Sequence, residues 1–419
     1  MNDLKMKPEK KEPYLIPEEL RGPSLDENTQ AILPVSRGTF YYLIAKCFHS
    51  ETQRNINRFR ADLNGAWDEV QYQDRVFRLI ENHPSLRSDF IRDRSRSFWQ
   101  IIYKRKKVPV FYKNLTGLTK GGQERFISGF WQVLDEEDAL FACALLILSE
   151  KESTLLLRAD HTVVDGISFS VILNELTDGN YKDLSCDTYV EHRRRSILSA
   201  VEKVPGPVLR YYRDMPAAFR MPACPDMRKA SCIQESIYLS VEETKDLARR
   251  SQEENVTPYT LAFLSHAKAL MRLYQAEEIW IRYLNHGRRR GETEEMRLVG
   301  NMIVEKPVHI KMDTSAKELR SDMLFLDSFS GMSDTTLFRE MNPNGLPQGI
   351  TSKDFWRPGP LIHRIIPIGN DTVCENNMYM EEGRLHFRFS CLPGDISMNG
   401  QESLKDIFLK ELFSGGQKR

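Results

Sequence analysis

The chain lacks a disulfide frame, a membrane-spanning segment, a net charge and an internal repeat, and each absence narrows what it can be. Its cysteines, at 47, 143, 186, 224, 232, 374 and 391, are odd in number and nowhere form a Cys-x-x-Cys pair. They read as reduced thiols of a cytoplasmic protein, neither a disulfide frame nor a zinc site. The remaining candidate ligands have no metal-like spacing, so no metal is expected. No stretch approaches the ~20 apolar residues of a spanning helix. Met1 to Pro23, rich in Lys, Glu and Pro, has no apolar signal-peptide core. The 59 basic residues balance 59 acidic ones, so no global field would draw in nucleic acid or an anionic membrane. The runs Arg193-Arg194-Arg195 and Arg288-Arg289-Arg290 are short and read as solvated faces.

What is present is globular, with 41% apolar and 28% charged residues. At 419 residues the chain exceeds one ordinary core and suits two packed lobes in a monomer. Residues 1–27 read as a mobile tail, with a docking segment for a partner as the alternative. Residues 28–180 alternate helix and strand around a mixed sheet. Within them, Trp67 to His83 predicts a helix whose apolar face is Val70, Val76, Phe77 and Ile80, ending before Pro84. Residues 181–231 carry prolines at 205, 207, 216, 222 and 225 without a sustained period, and read as a crossing between lobes. A second lobe, 232–419, opens with a strand and a helix capped by Ser240-Val-Glu-Glu243, the spacing of a capping box. Later come a hairpin turning at Glu382-Gly383 and a helix on Leu404, Ile407, Phe408 and Leu412.

The stretch that points to chemistry is Arg158-Ala-Asp160-His161-Thr-Val-Val-Asp165-Gly166. An apolar strand, Thr154 to Leu157, precedes it. A helix follows, with Ile167, Val171, Ile172 and Leu176 on one face. His161, Asp165 and Gly166 therefore sit on a tight strand-to-helix connection, where a glycine permits a sharp turn. Buried, Asp165 would fix the loop while His161 projects where a proton could move, and imidazole titrates near neutral pH. Alternatively Asp165 orients the base, as in a Ser-His-Asp triad. A third possibility is that His161 is a satisfied loop histidine in a binding protein. His83 and His286 read as structural or surface groups.

This stretch resembles the signature His-His-x-x-x-Asp-Gly of the condensation-domain superfamily of CoA- and carrier-protein-dependent acyltransferases. Three further segments are similar in order and spacing: Asn82 to Phe90, Asp135 to Ile147, and His286-Gly287-Arg288 through Val299-Gly300. The resemblance spans roughly residues 30 to 412 and departs from the family in three places. Asp160 stands at the first signature histidine. Asn301-Met-Ile-Val304-Glu305 replaces the usual Pro-Phe-Val-Asn-Thr, and Asp354-Phe355-Trp356-Arg-Pro-Gly359 is only a faint echo of a family motif.

The resemblance implies an α/β fold of two chloramphenicol acetyltransferase-like lobes in a V-shaped pseudo-dimer with mixed sheets. His161 would lie in a tunnel between them, with a latch near 375–400 crossing back over the first lobe. It implies His161 as the catalytic residue, and Asp165 and Gly166 as loop-holding groups with Arg87 as the partner of Asp165. Tyr283, Asn285, Gly300 and Asn301 become acceptor-side candidates, with core packing an equal alternative for Tyr283 and Asn285. The donor would be a phosphopantetheine thioester on an acyl or peptidyl carrier protein or on CoA, and no cofactor would be bound. A small-molecule amine or alcohol would accept the acyl group, in nonribosomal or related natural-product assembly by a free-standing enzyme. The alternatives are a non-catalytic module that binds carrier-borne intermediates, or a CoA-dependent alcohol O-acyltransferase.

Overall fold

The computed structural model describes residues 27–48, 56–179, 184, 186–201, 206–213, 233–273, 275–288, 294–329, 362–368, 375–381, 383–391 and 403–414. In order, the first part comprises β1 (Thr29–Pro34), α1 (Arg37–Phe48), β2 (Ile56–Asn64), α2 (Glu69–Asn82), β3 (Ser88–Arg92), β4 (Phe98–Tyr103) and β5 (Val110–Asn114). It continues with α3 (Lys120–Glu136), β6 (Phe141–Ile147), β7 (Glu152–Asp160), α4 (Gly166–Asp178), α5 (Cys186–Val201) and α6 (Gly206–Arg213). The second part comprises β8 (Ile233–Tyr238), α7 (Val241–Glu253), α8 (Pro258–Leu273), β9 (Glu278–Asn285), β10 (Val304–Lys311) and α9 (Ala316–Asp327). It ends with β11 (Ile362–Ile368), β12 (Glu375–Glu381), β13 (Arg384–Cys391) and α10 (Leu404–Ser414).

The central sheet runs β11-β2-β7-β6-β5, with β5 and β6 parallel and the other pairs antiparallel. All of β6, Phe-Ala-Cys-Ala-Leu-Leu-Ile, is buried. Its period of two sends Phe141, Cys143, Leu145 and Ile147 to a core shared with α2 and α4. Ala142, Ala144 and Leu146 face α3, through Ile127, Phe130, Trp131 and Leu134. Helices cover both faces, so β6 reads as a continuous apolar run, and β7 is apolar from Leu155 to Leu157. Their far ends are where the His161 loop emerges, since β7 ends at Asp160.

The second core forms around α8, of which eleven residues are buried. Onto it pack Leu404, Phe408 and Leu412 of α10, and strands β9 and β10. Capping boxes open α7 (Ser240 with Glu243) and α9 (Ser315 with Glu318), each satisfying otherwise free helical amides. Among the described residues, no helix is long and apolar enough to cross a membrane.

Several expectations change. On α2 the buried stripe is Tyr72, Val76, Leu79 and Ile80, while Val70 and Phe77 are 76% and 55% exposed. At 3.6 residues per turn those two fall on the side opposite Tyr72 and Val76. The segment 181–231 contains helices α5 and α6. Polar His192 and Arg193 share the buried positions of α5 with Tyr189 and Val190, which hides its period from hydropathy. Val208 and Tyr212 of α6 already belong to the second core. The strand that returns to the first sheet is β11, pairing Ile362 to Ile368 with Leu63 to Arg58 of β2. Within the span 375–400, given as a latch, β12 pairs with β13, and β13 pairs with β8. Residues 392–400, the echo at 354–359 and all of the 1–27 tail but Glu27 lie outside the described residues.

Ser315→Ala removes the side chain that accepts from the Glu318 amide. It is expected to lower unfolding stability by about 1 kcal/mol, read as a lower urea midpoint with an unchanged slope.

Candidate active site

The loop from His161 to Asp165 is held at both ends. At its start, the Asp160 amide donates to the Leu140 carbonyl at 2.7 Å. The Asp160 carboxylate accepts from the Thr162 amide (2.9 Å) and hydroxyl (2.6 Å). Its other oxygen pairs with Lys46 of α1. In the middle, the Ser85 hydroxyl donates to the Val163 carbonyl at 2.7 Å. The residue at the first signature position is thus a staple for the loop that follows it.

At the loop's end Asp165 is the N-cap of α4, accepting from the Ser168 amide (2.9 Å) and hydroxyl (2.7 Å). Asp165 itself is extended (φ −126°), and Gly166 already has the helical backbone of α4, so the turn does not draw on the freedom of Gly166. The partner of Asp165 is Arg288, which donates to Oδ2 at 2.8 Å and Oδ1 at 3.1 Å. The Met302 amide adds a donor to Oδ2 at 3.1 Å. Arg288 also donates to the Leu298 carbonyl at 2.8 Å and the His286 carbonyl at 3.1 Å, and its side chain is wholly buried. Burial alone would raise the Asp165 carboxyl. The Arg288 charge and the hydrogen bonds from Arg288 and Ser168 outweigh it and hold the carboxyl below its ordinary value.

Arg87, expected as that partner, lies elsewhere. It ends the short 3-10 helix Pro84–Arg87 and donates to Gln30 of β1 at 2.5 Å and to the Tyr103 carbonyl of β4. It thus ties β1 to β4, while Arg288 reaches Asp165 from the other half of the chain. Arg288 sits where it does because Gly287 (φ +67°) turns the chain after β9. A Cβ on Gly287 would stand 1.8 Å from the Met302 carbonyl oxygen, so the position takes only glycine.

His161 is partly exposed, between the two anchored ends, and its ring stacks on Tyr42 of α1 with centroids 4.3 Å apart and planes at 14°. Both Asp165 oxygens are engaged by Ser168, Arg288 and Met302, so the Ser-His-Asp reading of Asp165 gives way to the loop-holding one. Gly300 belongs to the same network: its amide donates to the Ser168 hydroxyl at 3.0 Å, the hydroxyl whose proton goes to Asp165. The Asn301 side chain is buried, and neither amide atom has a hydrogen-bond partner among the described residues. It lies beside Gly38 at the start of α1. Asn285 accepts from the Gly287 amide at 2.8 Å and so helps shape the Arg288 turn. Tyr283 is not part of this group. It is buried in the second core, and its hydroxyl donates to Asp327 at 2.8 Å. Burial and the Asp327 charge push its phenol well above the usual range.

His83, in the first resembling segment, is held structurally. His83 meets Glu175 of α4 at 2.9 Å, and Arg297 donates to the same carboxylate at 2.9 Å. A similar knot joins Glu295 to Arg195 and, at 3.4 Å, to His192 of α5. Burial holds the His192 imidazole down at about 4, so at neutral pH this last contact is not an ion pair. The basic runs are thereby reassigned: Arg193 and Arg288 are buried, and Arg195 is paired. Sequence reasoning missed Arg288 as the partner of Asp165, and Tyr42, Lys46 and Ser168 altogether. Tyr42 and Lys46 look in sequence like any aromatic and basic residues of an amphipathic helix. The glycine before Arg288 was the one available signal that a basic run turns inward.

Asp165→Asn keeps the shape and removes the charge, leaving the Arg288 guanidinium buried without its counter-ion, which costs ~3–5 kcal/mol. The carboxyl is more acidic folded than unfolded, so its contribution is present above the ordinary carboxyl pKa of ~3.9 and is lost as pH falls below it. Urea unfolding should show the full gap between wild type and Asp165→Asn at pH 7, and a narrowing gap below about pH 4. A gap that does not change with pH would mean the contact is not ionic.

Residues 42–195 match the Condensation domain family. The NRPS-like tryptophan epimerase fscC of Fusarium equiseti is 26% identical over 282 residues, 64% of this chain and 18% of that protein. The matches to curated relatives span between 2% and 18% of their lengths. Among solved structures, the condensation domain of the monacolin K polyketide synthase MokA superposes with a TM-score of 0.72 at 13% identity. That likeness covers 93% of this chain and 97% of that one. A mutant starter condensation domain of rhizomide synthetase RzmA, solved with C8-CoA and Leu-SNAC, superposes at 0.69 and 13% identity, covering 92% of this chain and 93% of that one. The chain thus carries a Condensation domain match around the His161 loop and has the fold of solved condensation domains across nearly its whole length.

Proposed function

We propose that this protein transfers an acyl group from a phosphopantetheine thioester, on a carrier protein or CoA, to an amine or hydroxyl acceptor, with His161 as the base. The observation that carries the reading is the division of roles in the loop. Asp165 is wholly engaged in holding structure, while the imidazole between the two anchors remains partly exposed. The starter condensation domain with C8-CoA and Leu-SNAC supports a thioester donor of this kind.

The chemistry asks for placement more than for a strong nucleophile. A thioester is already activated, so aligning donor and acceptor supplies much of the barrier reduction. As the acceptor's lone pair attacks the thioester carbon, its N–H or O–H proton passes to the imidazole. The tetrahedral adduct then expels sulfur, which leaves as the thiol with that proton. A base near neutral pKa contributes typically ~10²–10⁴-fold to such a step. Gly300 and Asn301, joined to the loop through Ser168 and Met302, are the acceptor-side candidates. The expected partner is an acyl or peptidyl carrier protein, separate or in the same polypeptide, and a monomer suffices for the reaction. The match to fscC favours a second reading. In it the same base exchanges the proton on the carbon beside the thioester carbonyl of a carrier-bound amino acid.

Intact-mass spectrometry of wild type and His161→Ala, with acyl-carrier and acyl-CoA donors and amine and alcohol acceptors, tests this. Wild type should form the acylated product, and folded His161→Ala should slow it by about 100-fold or more. Equal rates would remove His161 from the mechanism. Deuterium uptake from solvent without acyl transfer would establish the second reading. Carrier binding without either reaction would identify a binding module.

A further inference from the structure

A base on a loop must be aimed as well as held. The backbone anchors at Asp160 and Asp165 fix where the His161 Cα stands, and they leave the imidazole its own two torsions. The carboxylate that sequence suggested for orienting the ring is engaged by Ser168, Arg288 and Met302. What touches the ring face is Tyr42, nearly parallel at 14° with centroids 4.3 Å apart. In that geometry, swinging the imidazole about its Cβ–Cγ bond drives a ring edge into the phenol face.

The helix that carries Tyr42 is itself tied to the loop. One turn on, Lys46 pairs with Asp160, so helix positions four apart meet adjacent loop residues, His161 and Asp160. At its other end, α1 presents Gly38 against the segment that follows Gly300. A Cβ there would lie 3.4 Å from the Ile303 carbonyl and 3.8 Å from the Asn301 amide oxygen. Within α1, Thr39 and Leu43 are buried, and Phe40 meets Phe98 of β4 edge-on at 5.9 Å. The helix is seated against β4, the His161 loop and the Gly300 segment at once.

We propose that Tyr42 is a positioning residue for His161: its stacked ring sets the imidazole's rotation, and Lys46 on Asp160 locks the helix so that the stack keeps its place. The consequence for catalysis rests on the acyl-transfer reading, but the consequence for the imidazole does not.

The test uses the full-length protein as Tyr42→Phe and Tyr42→Leu, with two readouts. In NMR spectra of protein labelled at histidine, the His161 ring signals, assigned by their absence in His161→Ala, should lie upfield in wild type from the ring current of the stack. They should stay there in Tyr42→Phe and move towards free-imidazole positions in Tyr42→Leu. In acyl transfer, Tyr42→Phe should match wild type, and Tyr42→Leu should lose about 10- to 100-fold in kcat with KM little changed, the size of effect that misaiming a group produces. Unmoved His161 signals in Tyr42→Leu, or a wild-type kcat with them moved, would overturn the proposal. A Tyr42→Phe as impaired as Tyr42→Leu would also overturn it, by assigning the effect to the hydroxyl. If Tyr42→Leu fails to fold, Tyr42→Phe still decides between ring and hydroxyl. If wild type transfers no acyl group, the NMR arm decides the stack and the acyl-transfer reading fails separately.

Discussion

The structure depends on a buried ion pair between halves of the chain, Asp165 at the start of α4 and Arg288 after β9. A buried pair is weak evidence of stability, because desolvation offsets much of the attraction. What distinguishes this one is its completeness. The carboxylate accepts from both terminal guanidinium nitrogens, the Ser168 amide and hydroxyl, and the Met302 amide. The guanidinium in turn meets the carbonyls of His286 and Leu298. A charge so fully satisfied makes alternatives expensive, since any shift of the loop against the second half would strand several buried groups together. Its effect is therefore a unique register of the His161 loop against Arg288, Leu298 and Met302.

Around it, two smaller knots repeat the pattern. Glu175 joins His83 and Arg297, and Glu295 joins Arg195 with His192 beside it. Each brings residue 295 or 297 of a short helical turn onto a helix of the first half. Arg288 and the described residues 294–302 are thus pinned, at Arg288, Glu295, Arg297, Gly300 and Met302. Under the proposed acyl transfer, Gly300 and Asn301 would inherit that rigidity, which suits a reaction that gains mostly from alignment.

Much of the fold was legible because burial and hydropathy coincide. β6 is apolar throughout and buried throughout, and the Ser240–Glu243 capping box forms as its spacing implies. Legibility failed where buried positions are polar. α5 buries His192 and Arg193, and Arg288 is wholly buried within a run of three arginines. Composition reads such residues as solvent-facing, and only pairing in three dimensions reverses that. Asp165 was legible as a loop-holder, but its partner was not. Arg87 and Arg288 both stand in segments that resemble the family, and local sequence does not say which guanidinium crosses to the loop. The returning strand failed for a different reason. β11 completes an edge of the first sheet from far along the chain, and open sheet edges accept whatever strand reaches them.

Asp160 shows how the remaining pieces interlock. Where the family signature has a histidine, this chain has a carboxylate that accepts from Thr162 and pairs with Lys46. Substituting a carboxylate at that position without a cation would bury a charge at 1% exposure with only hydroxyl and amide donors to satisfy it. Lys46 resolves this, and because it rides on α1 the solution moves a helix as well as a charge. The same helix then brings Tyr42 onto the neighbouring imidazole. The residue at the first signature position and the aim of His161 are therefore linked through α1. Reverting Asp160 to histidine would leave Lys46 without its anion and loosen the seat of Tyr42. The departure from the signature is in this way part of how the loop is built.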